Sequence, residues 1–150
     1  EVGGDETFSA WKNGGAWLNG KRIAVSETNR LSDSLVATGF PYNLFDRLDP
    51  YMDLLKYLVK NTHGIRRLGS ASIDLAYVAC GRYDLFFEYD LKPWDVAAGM
   101  LMVREAGGVF SDFSGNMSGL TGDETLASNL LVYNELLKTV NAFMKEAKRN

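Results

Sequence analysis

Residues 83–99 read Tyr83-Asp84-Leu85-Phe86-Phe87-Glu88-Tyr89-Asp90-Leu91-Lys92-Pro93-Trp94-Asp95-Val96-Ala97-Ala98-Gly99, and the run continues through Met100-Leu101-Met102-Val103-Arg104-Glu105-Ala106-Gly107-Gly108. Tyr83 to Glu88 is short and mostly apolar, which predicts a strand. On a regular strand Phe86, Glu88 and Asp90 share one face, so that face turns polar as the strand ends. Pro93 suits the first position of a helix, Trp94 to Ala106, and Gly107-Gly108 stops it. Val96 to Val103 is apolar almost all round and predicts a helix buried on most faces. A strand leading directly into a buried helix points to a layered α/β domain.

The flanking sequence agrees. Upstream, Thr7 to Trp11, Ala16 to Leu18 and Arg22 to Val25 read as strands, separated by turns at Lys12-Asn13-Gly14-Gly15 and Asn19-Gly20. Asn and Gly tolerate the positive φ that tight turns require. Ser34 to Thr38 reads as a further strand ended by Gly39. A helix follows, with Asp49 as cap, Pro50 first, and a stripe of Tyr51, Leu54, Leu55, Leu58 and Val59, ending near Asn61 to Gly64. A second helix runs from Gly69-Ser70-Ala71 to Cys80-Gly81, with Ile73, Ala76, Tyr77 and Cys80 on its stripe. Downstream, Val109 to Phe113 and Leu130 to Tyr133 are expected strands. Last comes an amphipathic helix capped by Asn134, with Leu136, Leu137, Val140, Phe143, Met144 and Ala147 on one face and Lys145, Lys148 and Arg149 near its end.

Composition bounds the function. The 150 residues are 46% hydrophobic and 12% aromatic, values of a folded domain with a core. A net charge of −3 carries no basic excess for nucleic acid, so no nucleic-acid partner is expected. No apolar run approaches the roughly 20 residues that span a bilayer, so no membrane partner is expected either. Cys80 is the only cysteine, which excludes an intrachain disulfide and fits a reducing cytoplasm. The start at Glu1-Val2-Gly3-Gly4-Asp5 reads as a chain entered in mid-protein.

Few residues could carry chemistry. Asp95 falls in the first turn of the buried helix, where free N–H groups and the helix dipole stabilise a carboxylate. Mg²⁺ prefers such hard oxygen ligands. The plain alternative is that Asp95 only favours a helix start, and spacing alone leans that way. Gly69-Ser70-Ala71 could present backbone N–H groups to an oxygen-rich ligand, yet a serine that merely caps a helix looks identical. Lone His63 reads as a surface or capping residue, Cys80 as core, and Arg66-Arg67 as a basic pair that could attract phosphate but is usually solvated. P-loop, dinucleotide, zinc and nucleophile-elbow patterns are absent.

Trp94-Asp95-Val96-Ala97-Ala98-Gly99, continued by Glu105-Ala106-Gly107-Gly108, resembles the C-terminal signature of the inositol monophosphatase family. His63-Gly64-Ile65-Arg66-Arg67-Leu68-Gly69-Ser70-Ala71 resembles the family segment entering the preceding helix, and Gly15-Ala16-Trp17-Leu18-Asn19-Gly20 its β-hairpin. The likeness runs over nearly the whole chain and favours the metal reading of Asp95. It implies the C-terminal half of the sugar-phosphatase fold, a mixed sheet with flanking helices, over residues 1–150. It implies Mg²⁺-dependent hydrolysis of a phosphate monoester, inositol monophosphate first, with Asp95 as a metal ligand that also touches substrate. Glu88 would accept hydrogen bonds from substrate hydroxyls, and Gly69, Ser70 and Ala71 would line the sugar pocket. Lys92 stands where some relatives carry His.

The family's upstream Glu-Glu and Asp-Pro-(Ile/Leu)-Asp-Gly-Thr motifs do not occur here, so no residue is assigned as catalytic. The missing N-terminal half is therefore an expected partner, beside a small sugar or polyol phosphate and a second copy in a homodimer. The 150 residues alone should be inactive. Sibling activities on bisphosphorylated nucleotides, fructose bisphosphate or histidinol phosphate stay open. So does a non-catalytic binding or assembly domain of the same fold.

Overall fold

The computed structural model describes residues 1–43, 45–117 and 121–144. In chain order it contains β1 (Phe8–Trp11), β2 (Gly15–Leu18), β3 (Lys21–Ile23), a single 3-10 turn at Leu31–Asp33, β4 (Leu35–Thr38) and α1 (Leu48–Asn61). It continues with β5 (Gly64–Arg66), α2 (Ala71–Ala79), β6 (Leu85–Tyr89), α3 (Pro93–Glu105), β7 (Val109–Ser111), β8 (Glu124–Ser128) and α4 (Tyr133–Met144). Five strands form one sheet in the order β5-β4-β6-β8-β7, with β4 parallel to both β5 and β6. β8 runs antiparallel to β6 and β7, so the sheet is mixed. β1, β2 and β3 form a separate antiparallel sheet.

Strand β6 sits at the centre and is buried along its whole length. Its alternation sorts the two cores. Leu85, Phe87 and Tyr89 join Tyr51, Leu54 and Leu58 of α1 and Leu136 and Val140 of α4 on one face. Phe86 joins Leu75 of α2 and Val96 and Val103 of α3 on the other. Burying each such side chain contributes roughly 1.5–3 kcal/mol. The small sheet lies beyond α3 and is tied to it by Glu105, whose carboxylate accepts the N–H groups of Asn13 at 2.8 Å and Gly15 at 2.9 Å. Those bonds hold the Glu105 carboxyl below its ordinary range.

The structure departs from the sequence reading at several elements. Leu130–Val132 is a turn, not a strand; the strand lies earlier, at β8. Asn129 makes the turn, its Oδ1 accepting the N–H of Leu131 at 2.9 Å and of Val132 at 3.0 Å. The Leu130 and Leu131 side chains are left exposed. α4 consequently starts before Asn134, and the expected residues Lys145, Ala147, Lys148 and Arg149 lie outside the described residues. α1 starts at Leu48 with Arg47 before it, ahead of the expected cap at Asp49. The buried stripe of α2 is Asp74, Leu75, Ala76, Val78 and Ala79, so the helix is rotated from the expected Ile73-Ala76-Tyr77-Cys80 face. α3 buries Val96, Gly99, Met102 and Val103 but exposes Trp94, Ala97 and Ala98, so it is covered on one side only. Gly99 explains the close approach on that side, because an added Cβ would strike Leu75 of α2.

Candidate functional site

β4 and β6 are adjacent and parallel, and the helices that follow them, α1 and α3, lie on opposite faces of the sheet. In open α/β sheets this arrangement opens a crevice beyond the carboxyl ends of the two strands. A cavity of ≈ 160 Å³ occupies that position, lined by Gly39, Phe40, Tyr42, Arg67, Gly69, Ser70, Ala71, Ser72, Asp74, Glu88, Leu91 and Asp95. It is small beside the roughly 300–1,000 Å³ of sites for drug-sized ligands. A small polar molecule suits it.

Each wall has a local cause. Glu88 continues the Phe86 face of β6 by strand alternation, and only 4% of it is exposed. Its carboxylate lies over Gly39 at the end of β4, in space that a Cβ on residue 39 would fill. Burial pushes the Glu88 carboxyl up to about 8; the charges of Asp74 and Asp95 add to the rise, and Arg67 opposes it. Gly69 takes φ +87°, a left-handed backbone that favours glycine, and turns the chain into α2. Ser70 is the N-cap residue of α2, but its side chain makes no capping hydrogen bond. The plain capping role is therefore not what its hydroxyl performs. The first N–H groups of a helix lack intrahelical acceptors, and Ser70, Ala71 and Ser72 put that end of α2 on the cavity wall.

Asp95 serves the helix start and the cavity together. Its Oδ2 accepts the backbone N–H of Lys92 at 2.9 Å, closing the first turn of α3, while the residue remains partly exposed on the cavity. All five residues singled out in the sequence, Gly69, Ser70, Ala71, Glu88 and Asp95, thus meet in one cavity. Asp90 does not join them. It adopts φ 66°, leaves the strand, accepts the N–H of Asn43 at 3.0 Å and faces Lys92 Nζ at 3.6 Å.

Among the wall residues that sequence reasoning did not assign to the site are Asp74, Arg67 and Gly39. Asp74 is 1% exposed, and neither carboxylate oxygen has a hydrogen-bond partner among the described residues. Burial lifts its carboxyl to about 7 against the pull of Arg67. The available signal was a lone acid between apolar Ile73 and Leu75. Arg67 lines the cavity with its guanidinium 5.1 Å from the Phe40 ring centroid, although a basic pair in sequence suggested open solvent. Gly39 gave no signal beyond ending a strand.

The donor set does not complete a metal centre. Among the described residues no three His, Cys, Asp or Glu side chains are grouped to hold an ion. Asp95 is one hard oxygen ligand, and Mg²⁺ asks for more.

Comparison with known proteins supplies the wider frame. A family model described as "Inositol monophosphatase family" matches residues 2–147. The chain is 48% identical over 137 residues to "Nus factor SuhB" of Pseudomonas aeruginosa, covering 90% of this chain and 51% of that protein. Its fold superposes on the extragenic suppressor protein suhB of Bartonella henselae with TM-score 0.85 and 40% identity, over 91% of this chain and 52% of that one. It superposes on an inositol monophosphatase from Anabaena with TM-score 0.85 and 37% identity, over 93% of this chain and 56% of that one. The chain spans about half the length of the curated relatives it matches.

Proposed function

The chain belongs to the inositol monophosphatase family, and from that premise we propose that its cavity is the polyol side of a phosphatase site. The reaction is hydrolysis of a phosphate monoester, dependent on Mg²⁺, with inositol monophosphate as the first substrate to try. One observation carries the reading: the residues that match the family's motifs, Gly69, Ser70, Ala71, Glu88 and Asp95, line a single polar cavity at the strand ends.

In this reading Glu88 accepts hydrogen bonds from substrate hydroxyls and orients the ring. The N-terminal end of α2, at Ser70 and Ala71, donates to hydroxyl oxygens on the opposite wall. Asp95, fixed by its bond to Lys92 N–H, offers one carboxylate oxygen ligand to a cation and touches the substrate beside it. Bound Mg²⁺ in such sites supplies neutralisation of phosphate charge and activation of water. The other ligands belong to a portion of the protein outside these residues. A cytoplasmic location and a homodimer are part of the same proposal.

The test is phosphate release from inositol 1-phosphate at several concentrations of Mg²⁺, for this chain alone and with the rest of the protein added in cis or in trans. The chain alone stays at background and the completed protein turns over. Robust hydrolysis by these 150 residues by themselves would falsify the assignment of the missing ligands. Running bisphosphorylated nucleotides, fructose bisphosphate and histidinol phosphate in parallel ranks the sibling activities.

A second reading has its own support. The 48% identical relative carries the name of a factor and not of an enzyme, and Phe40, Tyr42, Phe45 and Trp94 are exposed large side chains. Under that reading the fold serves assembly with a macromolecule. An inert completed protein that still binds inositol would favour it.

A further inference from the structure

Asp74 sits in the first turn of α2, on the helix face that packs into the core beneath the cavity. Its backbone N–H bonds to Ser70 O at 2.9 Å, as a helix requires. Its carboxylate does nothing comparable. Both oxygens are buried and receive no hydrogen bond among the described residues. Buried polar groups in native structures nearly always have a partner, and an ionised carboxylate can accept several donors. Asp74 lines the same cavity as Glu88. A donor carried by a molecule in that cavity would satisfy it.

The geometry points to Asp74 as a specificity-determining acceptor for a second substrate hydroxyl, next to the one held by Glu88, so that the cavity selects a vicinal diol. This inference rests on the polyol reading given above. Two carboxylates on adjoining walls accept from two neighbouring hydroxyls, whereas a lone alcohol would leave one of them bare. A cation is the weaker occupant, because Arg67 shares the wall and no three ligating side chains are grouped there among the described residues. Electrostatics agree with the proximity: the Asp74 charge raises the proton affinity of Glu88, and Arg67 lowers that of both.

The experiment measures binding, not turnover. Free myo-inositol and its monodeoxy analogues are titrated calorimetrically into the completed protein, as wild type and as Asp74→Asn. Thermal melts check that the variant folds. At about pH 9, where both carboxyls are ionised, exchanging the carboxylate for the weaker amide acceptor lowers inositol affinity about tenfold in Asp74→Asn. One monodeoxy analogue weakens wild-type binding by a similar factor and then binds wild type and variant alike, the signature of a coupled pair. The carbon concerned is adjacent to the one whose removal mimics Glu88→Gln.

The idea is overturned if wild type does not bind inositol, or if Asp74→Asn binds it as wild type does. It is also overturned if every analogue loses affinity equally on substitution, since the partner of Asp74 is then a protein group. Should Asp74→Asn fail to fold, the wild-type analogue series decides: sensitivity at two adjacent carbons sustains the inference and sensitivity at a single carbon sinks it. Phosphate release by the wild type is scored separately. Inositol binding through Asp74 without hydrolysis refutes the phosphatase reading and keeps this one; hydrolysis with Asp74-independent binding does the reverse.

Discussion

The two faces of strand β6 show the difference between a core and a site. On the α1 and α4 side, Leu85, Phe87 and Tyr89 stay apolar to the end of the strand. Several polar atoms on that side find partners, although Arg47 Nε and Nη2 have none among the described residues. The Tyr51 hydroxyl donates to Gly39 O at 2.8 Å, and Arg47 pairs with Glu124 at 2.8 Å beneath the Tyr89 ring. On the α2 and α3 side, Phe86 is followed by buried Glu88, and Asp74 faces the same space without a partner. One strand thus carries an apolar core along its whole length on one face, and on the other a core that gives way to a polar pocket at the strand end.

Phe87→Ala breaks the comparison most heavily. Phe87 is fully buried, and its ring lies 5.3 Å from that of Tyr51. Truncating a buried Phe costs about 3–5 kcal/mol, a large part of the stability of a domain this size. Urea unfolding of wild type and variant measures it. A loss under about 1 kcal/mol would mean that this face is not the main core.

Asp95→Asn should act on the other face without touching the first. In the completed protein, Mg²⁺-dependent phosphate release falls by more than about 100-fold, since residues that only support a metal ligand are already worth 10–100-fold. The unfolding midpoint stays close to wild type, because the amide can still accept the Lys92 N–H. Wild-type turnover by this variant defeats the metal assignment.

The same contrast separates what the sequence disclosed from what it hid. β6, α3 and the two hairpin turns were legible because a short apolar run, Pro93 and the Asn-Gly pairs are local signals. Glu88, Asp95 and Gly69 to Ala71 were legible through a family resemblance, not through spacing, which left Asp95 and Ser70 open. Asp74 was hidden because the rotation of α2 about its axis depends on tertiary packing, here on Leu75 against Gly99. The misplaced strand at Leu130 to Tyr133 has a similar cause. An apolar run was read as β-structure, while Asn129 bonding the N–H groups of Leu131 and Val132 makes it a turn.

A pH titration sharpens the comparison with a smaller effect. Asp74 and Glu88 have carboxyls raised to about 7 and about 8 in the folded chain, both chiefly by burial, against about 3.9 and 4.3 when unfolded. Between those limits the folded state binds more protons, so stability falls as pH rises. Their contribution is fully present below about pH 4 and is lost through about pH 8. Melting temperatures in the presence of a chelator should decline over that window, and Asp74→Asn should decline less. Identical profiles for the two proteins would remove Asp74 from the account.

Gly39→Ala is the mildest change and the most local. A Cβ at residue 39 would overlap the Glu88 carboxylate, but that carboxylate is the end of a flexible side chain. The cheapest relaxation swings Glu88 aside and leaves β4, β6 and both cores in place. The melting temperature should therefore move by only a few degrees, the scale of about 1 kcal/mol in a domain of this length. Measured at about pH 9, where the Glu88 carboxyl is ionised, inositol affinity should by contrast fall about tenfold, the value of a hydrogen bond to a charged group. Glu88→Gln with Gly39→Ala should then be no worse than Gly39→Ala alone, because both changes remove the same contact. Additive losses in the double variant would show that Gly39 matters for something other than the seat of Glu88, and the contrast between the two faces of β6 would lose its simplest support.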